Sequence, residues 1–321
     1  MDNQNFKLRL GVSGCLLGEE VRYNGGHKHA PYLTHVLGQY VDWVSVCPEV
    51  EVGMSTPRES IRLQGTVEDT HLVGPKSGTD HTDAMKTWAK TRLDDLEKLD
   101  LHGYVLKKDS PSCGLFRVRL YNLETGIPTR DGQGVFAQVL TERLPLLPVE
   151  EEGRLNDLPL RENFIERVFA YYRLKEMIKE NPTPGGLVAF HSGMKMSILA
   201  HSPKHYREMG QLVALGSTIA WDEMIETYGR LMMEGLHVMS TRGKHVNVLM
   251  HVMGFVKDKM TGLDKAELLE VFETYRKGLL PLIVPITLLK HHLNRNEVPD
   301  WVMEQVYLSP YPGELMLRNH V

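Results

Sequence analysis

The chain has 321 residues, of which 42% are hydrophobic and 24% charged, a composition that is ordinary for a soluble globular protein of about two domains. The formal net charge of −4 gives no global reason to expect nucleic-acid binding. Any such binding would have to come from a local basic patch.

The sequence shows no targeting or membrane signal. The first five residues lack the charged-then-apolar pattern of a signal peptide. The most apolar stretch, residues 278–289, is interrupted by Pro281 and Pro285 and is too short to span a bilayer. Three cysteines in such a chain indicate a reducing compartment instead of a disulfide framework. We therefore expect a cytoplasmic protein.

The first part of the chain alternates between strand and helix patterns. Apolar runs of strand length occur at residues 8–12, 43–46 and 104–106. Helical periodicity covers residues 85–96, and a further helix is predicted from Val135 to about Leu144. This order predicts an α/β domain with a mainly parallel sheet and flanking helices on both faces.

A cluster of helix-breaking residues, Asn-Pro-Thr-Pro-Gly-Gly at positions 181–186, interrupts the chain. We place the domain boundary there, which gives one domain at residues 1–180 and a second at 187–321. A helical apolar stripe runs from Trp221 to Leu236. Further helical patterns cover residues 187–199, 203–214, 244–260, 264–277 and 285–293. The second domain is therefore predicted to be all-α.

The three cysteines are far apart in the sequence but have similar settings. Cys15 follows the first predicted strand, Cys47 follows the second, and Cys113 lies just beyond the third. Because the carboxyl ends of parallel strands open onto one crevice, we expect the three thiols to share a site. The alternative is three unconnected buried cysteines, since free cysteine is among the most buried residue types.

Three converging thiolates make a soft, anionic site that suits an iron–sulfur cluster, zinc or copper(I). A cubane cluster needs one ligand for each iron, so three cysteines leave one iron open to a substrate. Zinc with three thiolates and a water is the nearest competitor. The residues alone leave these alternatives open.

Polar residues beside the cysteines are candidates for catalysis. Glu49 lies two residues after Cys47 and could act as a general acid or base. Ser112 directly precedes Cys113 and could donate a hydrogen bond to a substrate or position a water. The simpler alternatives are a solvated loop carboxylate for Glu49 and a turn-capping hydroxyl for Ser112.

Weaker candidates lie near the same segments. The glycine turn at residues 23–28 has basic residues that could hold a phosphate, although an ordinary turn is the simpler explanation. Arg58, Glu59 and Arg62 could line the crevice or could pair with one another on a surface strand. The predicted substrate-binding residues are Ser13, Asn24, Arg58 and Ser110.

The three cysteine segments together resemble the thiouracil desulfidase family. They are Ser-Gly-Cys-Leu-Leu-Gly at residues 13–18, Val-Cys-Pro-Glu at 46–49 and Ser-Pro-Ser-Cys-Gly at 110–114, and the resemblance covers about residues 6–150. It implies a [4Fe–4S] cluster held by Cys15, Cys47 and Cys113, with one iron that lacks a protein ligand. It also implies catalytic roles for Glu49 and for a serine of the third segment, assigned to Ser112 with Ser110 as the second choice.

The helical region from about residue 187 to 306 resembles the domain appended to some of these desulfidases. The fused arrangement is similar to that of bacterial enzymes that remove sulfur from 4-thiouridine in tRNA, which implies that the appended domain handles the RNA. Candidate RNA contacts are His191, Lys195, His201, Lys204, His205, Arg207, Arg242, Lys244, His245, His251, Lys257 and Lys259. A solvated helical surface explains these residues equally well.

The resemblance implies hydrolytic removal of sulfur from thiolated uracil, with tRNA or free thiouracil and its nucleosides as the substrate. The thiocarbonyl sulfur would bind the open iron, and water activated by Glu49 would attack C4 and release hydrogen sulfide. Two other classes stay open. One is a metal-binding RNA module without catalysis, and the other is a radical or redox iron–sulfur enzyme that needs a reductant.

Overall fold

The computed structural model describes residues 7–320. The first residues, on which the expectation of no signal peptide depends, lie outside this range. The chain divides after Asn156 into two compact units. This division precedes the boundary predicted at residues 181–186, because the segment from Leu158 to Glu180 is a helix that belongs to the second unit. The breaker cluster separates two helices of that unit instead of two domains.

Two sheets organise the first unit. Its described strands are β1 (Leu8–Ser13), β2 (Val41–Val46), β3 (Arg62–Gly65), β4 (Thr70–Val73), β5 (Gly103–Leu106), β6 (Val118–Tyr121), β7 (Pro128–Gly132) and β8 (Val149–Glu151). The first sheet has the order β2-β1-β5-β8, and every neighbouring pair is parallel. In the central strand, Leu10 pairs with Trp43 on one side and Gly103 on the other. The predicted parallel sheet is confirmed.

The sequence does not predict the second sheet, whose order is β4-β3-β6-β7. Only its β3–β6 pair is parallel among the described strands. Its strands are four or five residues long and polar at many positions, so none forms an apolar run. Leu63, Leu72 and Leu120 nevertheless form a buried core with Met85 and Val135.

The helices of the first unit are α1 (Pro48–Glu51), α2 (Thr82–Lys98) and α3 (Val135–Arg143). The apolar stripe predicted for α2 is buried at Met85, Ala89, Leu93 and Leu96. The Asp80 carboxylate accepts a hydrogen bond from the Thr82 N–H at 2.8 Å and so satisfies one free donor at the start of α2. Phe136 of α3 packs on Tyr104 of β5, with ring centroids 5.8 Å apart, so α3 covers the first sheet.

Within the described residues, the second unit consists of helices joined by loops, which confirms the all-α prediction for the region from residue 187 onwards. Its helices are α4 (Leu158–Glu180), α5 (Pro184–His201), α6 (Pro203–Ala214), α7 (Trp221–His237), α8 (Arg242–Met253), α9 (Gly262–Arg276), α10 (Ile283–Arg295) and α11 (Asp300–Met303). The pattern predicted over 244–260 ends early, at Met253, and a short 3₁₀ turn follows. Among the described residues, no helix has the length and apolar character needed to cross a membrane.

The long helix α4 is absent from the sequence prediction. Its buried face includes Glu162 and Glu166, so no continuous apolar stripe marks it. Partners within the same unit offset the cost of burying these two carboxylates. Glu166 Oε2 lies 3.2 Å from His201 Nε2, and the Tyr311 hydroxyl donates to Glu162 Oε1 at 2.7 Å. Polar as well as apolar packing therefore holds α4 in the helical unit.

Candidate functional site

One cavity of about 870 Å³ lies at the carboxyl ends of the parallel strands, and all three cysteines line it. Cys15 lies in a short 3₁₀ helix, Gly14–Leu17, directly after β1. Cys47 follows β2 and precedes α1. Cys113 lies in the turn between β5 and β6. The structure thus brings the three thiols together at the sheet edge where the strand-end rule places them.

Two glycines allow the chain to turn tightly beside the thiols. A Cβ atom at Gly14 would clash with the Glu19 carboxylate and would lie 2.7 Å from Ser45 Oγ. A Cβ atom at Gly114 would lie 2.7 Å from the carbonyl oxygen of Ser110. A larger residue at Gly114 would displace the turn that carries Cys113, whereas one at Gly14 would require the Glu19 and Ser45 side chains to move.

Ser13 connects two of the cysteine segments. Its side chain is buried and lines the cavity. Its Oγ accepts a hydrogen bond from the Lys107 N–H at 3.0 Å, which ties the end of β1 to the end of β5. Burial raises the pKa of Cys113 well above its ordinary value, and a hydrogen bond with Ser13 opposes that rise. Ser13 therefore contacts a thiol as well as the cavity.

The three thiols are protonated at neutral pH when no metal compensates their charge. Burial, partly offset by the charge of Lys107, raises the pKa of Cys15 to about 11. Burial, together with the nearby Glu49 carboxylate, raises the pKa of Cys47 to about 12. A cationic group must therefore replace the thiol protons for the three sulfurs to act as thiolates. This donor set fits a metal or an iron–sulfur cluster.

Glu49 lies in the first turn of α1, is half-buried and lines the cavity. Its Oε2 lies 3.6 Å from Cys47 Sγ. Glu51, two residues on, has a structural role, because it accepts a hydrogen bond from the Cys47 N–H at 3.1 Å and pairs with Arg92 at 3.0 Å. Of these two carboxylates, Glu49 is the one that faces the space beside the thiols.

The two serines of the third segment differ in position. Ser112 is fully buried, does not line the cavity, and its Oγ has no hydrogen-bond partner among the described residues. Ser110 lines the cavity, and its Oγ accepts hydrogen bonds from the N–H groups of Ser112 at 3.2 Å and Cys113 at 3.0 Å. Because both bonds use acceptor capacity, the Ser110 hydroxyl can still donate its proton. The structure favours Ser110 over Ser112 as the serine that faces a substrate.

Of the remaining predicted residues, Arg58 lines the cavity, whereas Asn24, Glu59 and Arg62 do not. The Arg58 Nη2 donates to the Val21 carbonyl at 3.0 Å. Asn24 is exposed and accepts the Gly26 N–H within its own turn. The Glu59 carboxylate accepts hydrogen bonds from the backbone N–H groups of residues 76 and 77. The Arg62 guanidinium stacks over the Tyr121 ring. Glu59 and Arg62 therefore neither line the cavity nor pair with each other.

Lys107 and Glu152 are cavity residues that the sequence analysis missed. Lys107 Nζ lies 2.5 Å from Glu152 Oε1, and the Lys108 N–H donates to Glu152 Oε2 at 2.7 Å. Each lies directly after a strand of the parallel sheet, so the rule that found the cysteines could also have found them. The cavity is lined by the cationic residues Arg22, Lys28, Arg58, Lys107, Lys108 and Arg119 and by the acidic residues Glu49, Asp109 and Glu152.

The twelve basic residues predicted in the helical unit comprise two that are buried, six that are exposed and four that are half-buried, namely His191, Lys195, His205 and Lys244. His201 and His245 are buried, and the ring nitrogens of His245 contact Ser240 Oγ at 2.9 Å and the Tyr307 hydroxyl at 3.0 Å. These two histidines are therefore not available to RNA at the surface. The exposed members of the predicted set are Lys204, Arg207, Arg242, His251, Lys257 and Lys259.

Comparison with known proteins yields a family match in each unit. The family model described as 2-thiouracil desulfurase matches residues 10–152. A family model described as a protein of unknown function (DUF1722) matches residues 195–312. The two matched segments therefore lie one in each of the units that the structure separates.

The chain is also similar to two curated relatives and to one solved structure. The chain is 30% identical over 157 residues to the uncharacterized protein YbgA of Escherichia coli (strain K12). The aligned region covers 48% of the chain and 90% of YbgA. It is 34% identical over 152 residues to the uncharacterized protein YbbK of Bacillus subtilis (strain 168). This aligned region covers 46% of the chain and 97% of YbbK. Among solved structures, it is 32% identical to the [4Fe-4S]-dependent thiouracil desulfidase TudS, over 47% of this chain and 95% of that one, with a TM-score of 0.38. The chain therefore belongs to the 2-thiouracil desulfurase family through its N-terminal unit, and its helical unit carries a DUF1722 region.

Proposed function

We propose that the first unit is an iron–sulfur desulfidase that removes sulfur from thiolated uracil, and that its substrate is 4-thiouridine in tRNA. The observation that carries this proposal is that three thiols and the Glu49 carboxylate line one cavity in a chain of the 2-thiouracil desulfurase family. Cys15, Cys47 and Cys113 would hold a [4Fe–4S] cluster, in which three protein ligands leave one iron free.

The cluster would supply a soft Lewis acid for the thiocarbonyl sulfur of the substrate. Glu49, half-buried beside Cys47, is placed to take a proton from the attacking water and to return one to the departing sulfur. The Ser110 hydroxyl can donate a hydrogen bond into the cavity. The balanced reaction converts the thiocarbonyl and water into a carbonyl and hydrogen sulfide, with no net redox change.

The charge of the cavity wall supports a phosphate-bearing substrate. Six cationic residues and three acidic residues line the cavity, although the whole chain has a formal net charge of −4. Such a wall would serve as the local basic patch that nucleic-acid binding needs in an acidic chain. The exposed lysines and arginines of the helical unit would add phosphate contacts outside the cavity. Free thiouracil and its nucleosides, which carry no phosphate, remain the alternative substrates.

Glu49→Gln tests whether the site is catalytic or only binds a metal. We expect the turnover rate to fall about 10²- to 10⁴-fold, the range for loss of a general acid–base group, while the iron and sulfide content stays at the native level. Glu20→Gln is the matched control, because Glu20 is exposed and does not line the cavity. Native turnover in the Glu49→Gln protein would contradict the catalytic role of Glu49, whereas a binding module would show no turnover in the native protein either.

A further inference from the structure

The helical unit contains a second group of side chains that can ligate a metal. Asp264 and Glu267 lie on α9, and His292 lies on α10. One ligand atom of each residue, a carboxylate oxygen or an imidazole nitrogen, lies within 4.8 Å of the other two. Residues three apart lie on the same side of a helix, so both carboxylates face the same region. This group lies outside the unit that contains the cysteines.

His292 provides the independent indication of a ligand. Its side chain is only 7% exposed, and its Nε2 is buried without a hydrogen-bond partner among the described residues. A buried ring nitrogen without a partner loses its hydration and gains nothing in return. One ring nitrogen of this buried side chain lies within 4.8 Å of a carboxylate oxygen of both Asp264 and Glu267, and a neutral imidazole nitrogen is a common metal ligand.

Asp264 is fixed in place before any ligand binds. Together with Thr261 it forms a capping box at the start of α9. Its Oδ2 accepts hydrogen bonds from Thr261 Oγ1 at 2.8 Å and from the Thr261 N–H at 3.2 Å. Because both bonds use Oδ2, the Oδ1 atom remains free for a cation.

We propose that Asp264, Glu267 and His292 bind one divalent transition-metal cation of the Mn²⁺, Fe²⁺ or Zn²⁺ class. Two carboxylate oxygens and one imidazole nitrogen suit such cations, whereas the three thiols of the first unit form a soft site. Three protein ligands leave coordination positions for water. Glu267 is exposed, so the cation can exchange with solvent. The positive charge of Arg295 acts on Asp264 and opposes the cation, so the site is weaker than two carboxylates alone would make it.

The test is a Mn²⁺ titration of the full-length chain after removal of bound metals with a chelator. Mn²⁺ is the probe because thiols bind it poorly, and free Mn²⁺ is measured by electron paramagnetic resonance. Glu267→Gln removes one ligand charge at an exposed position and so leaves the fold intact. Glu270→Gln is the matched control, because it makes the same change at another exposed position of α9. A Cys113→Ser chain separates this site from the cysteine site.

We expect about one Mn²⁺ bound to each native chain. The dissociation constant should rise about tenfold or more in the Glu267→Gln and His292→Gln chains, because each loses a direct ligand. It should stay at the native value in the Glu270→Gln and Cys113→Ser chains. The proposal is overturned if the native chain takes up no Mn²⁺, or if Glu267→Gln binds it as tightly as Glu270→Gln does.

Discussion

Ser110 and Ser112 stand two residues apart in the third cysteine segment but have different surroundings. Ser110 lines the cavity and accepts the Cys113 N–H, whereas the Ser112 hydroxyl is buried without a partner. The sequence could not separate them, because both flank the same proline and both suit a turn. Only the direction of each side chain in the folded turn distinguishes their roles.

Replacing each serine with alanine separates the two positions. Ser110→Ala removes the cavity hydroxyl and the acceptor for the Cys113 N–H, so we expect turnover to fall by about 10² or more. Ser112→Ala removes a buried hydroxyl that has no partner, so activity should persist and the free energy of unfolding should stay the same or rise by about 1 kcal/mol. Steady-state kinetics and urea unfolding of both variants measure this. Loss of turnover in Ser112→Ala alone would restore Ser112 as the catalytic serine.

At the scale of elements, the carboxyl end of β8 holds the cavity wall in place. Glu151, buried at this end, accepts hydrogen bonds from the N–H groups of Leu115 at 2.8 Å and Phe116 at 3.1 Å. Glu152, the next residue, forms an ion pair with Lys107 and accepts a hydrogen bond from the Lys108 N–H. One strand end thus fixes both the segment that follows Cys113 and the segment that follows β5.

Glu151→Ala should destabilise the first unit. It leaves the buried Leu115 N–H and the partly buried Phe116 N–H without their acceptor, so we expect the free energy of unfolding to fall by about 2 kcal/mol, together with weaker retention of iron. Glu151→Gln is the conservative control, because its amide oxygen can still accept both bonds. Denaturant unfolding and iron analysis test this. Equal stability of the alanine and native proteins would show that the two N–H groups find other partners.

Glu166 of α4 and His201 of α5 form a buried ion pair, and this pair makes the stability of the helical unit depend on pH. Burial raises the pKa of Glu166, but the His201 charge and hydrogen bond outweigh it and lower the pKa from 4.5 to about 2. Burial lowers the pKa of His201, but Glu166 outweighs it and raises the pKa above 6.5. The Glu166 contribution to stability is therefore present above about pH 4.5 and lost as the pH falls towards 2. The His201 contribution is present below pH 6.5 and lost as the pH rises through its raised pKa.

Glu166→Gln should remove both dependences. We expect the unfolding midpoint of the native protein to decline on both sides of the interval from pH 4.5 to 6.5, and that of the variant to vary less with pH. Glu180→Gln, at the exposed end of α4, is the control that keeps the native profile. Urea unfolding followed by circular dichroism at pH values below, within and above this interval gives the comparison. The same profile in Glu166→Gln and native protein would contradict the assignment.

The predictability of the elements follows their burial pattern. β1, β2 and β5 have apolar runs, and α2, α3 and α7 have apolar stripes, so the sequence predicts them. The second sheet has short strands of mixed polarity, and α4 buries charged side chains, so their periodicity is hidden. The domain boundary at residues 181–186 was misplaced for the same reason, because α4 was not recognised as part of the helical unit.

At the scale of the whole molecule, sequence reasoning found the thiols and Glu49 but not the full cavity wall. Cys15, Cys47 and Cys113 follow strands, and topology alone brings such positions together. Lys107 and Glu152 were missed because their charges are ordinary in a sequence and become distinctive only when they meet at the cavity. The substrate proposal depends on this wall, since its excess of cations is what favours a phosphate-bearing thiouridine over a free base.

The most direct test is anaerobic incubation of the cluster-loaded chain with tRNA that contains 4-thiouridine, without added reductant. The loss of thiocarbonyl absorbance and the release of sulfide are followed together, with free 4-thiouridine and 4-thiouracil as parallel substrates and Cys113→Ser as the inactive control. We expect sulfide to equal the thiocarbonyl lost, with tRNA consumed fastest. A chain with an intact cluster that leaves all three substrates unchanged, or that reacts only when a reductant is supplied, would contradict the hydrolytic desulfidase proposal.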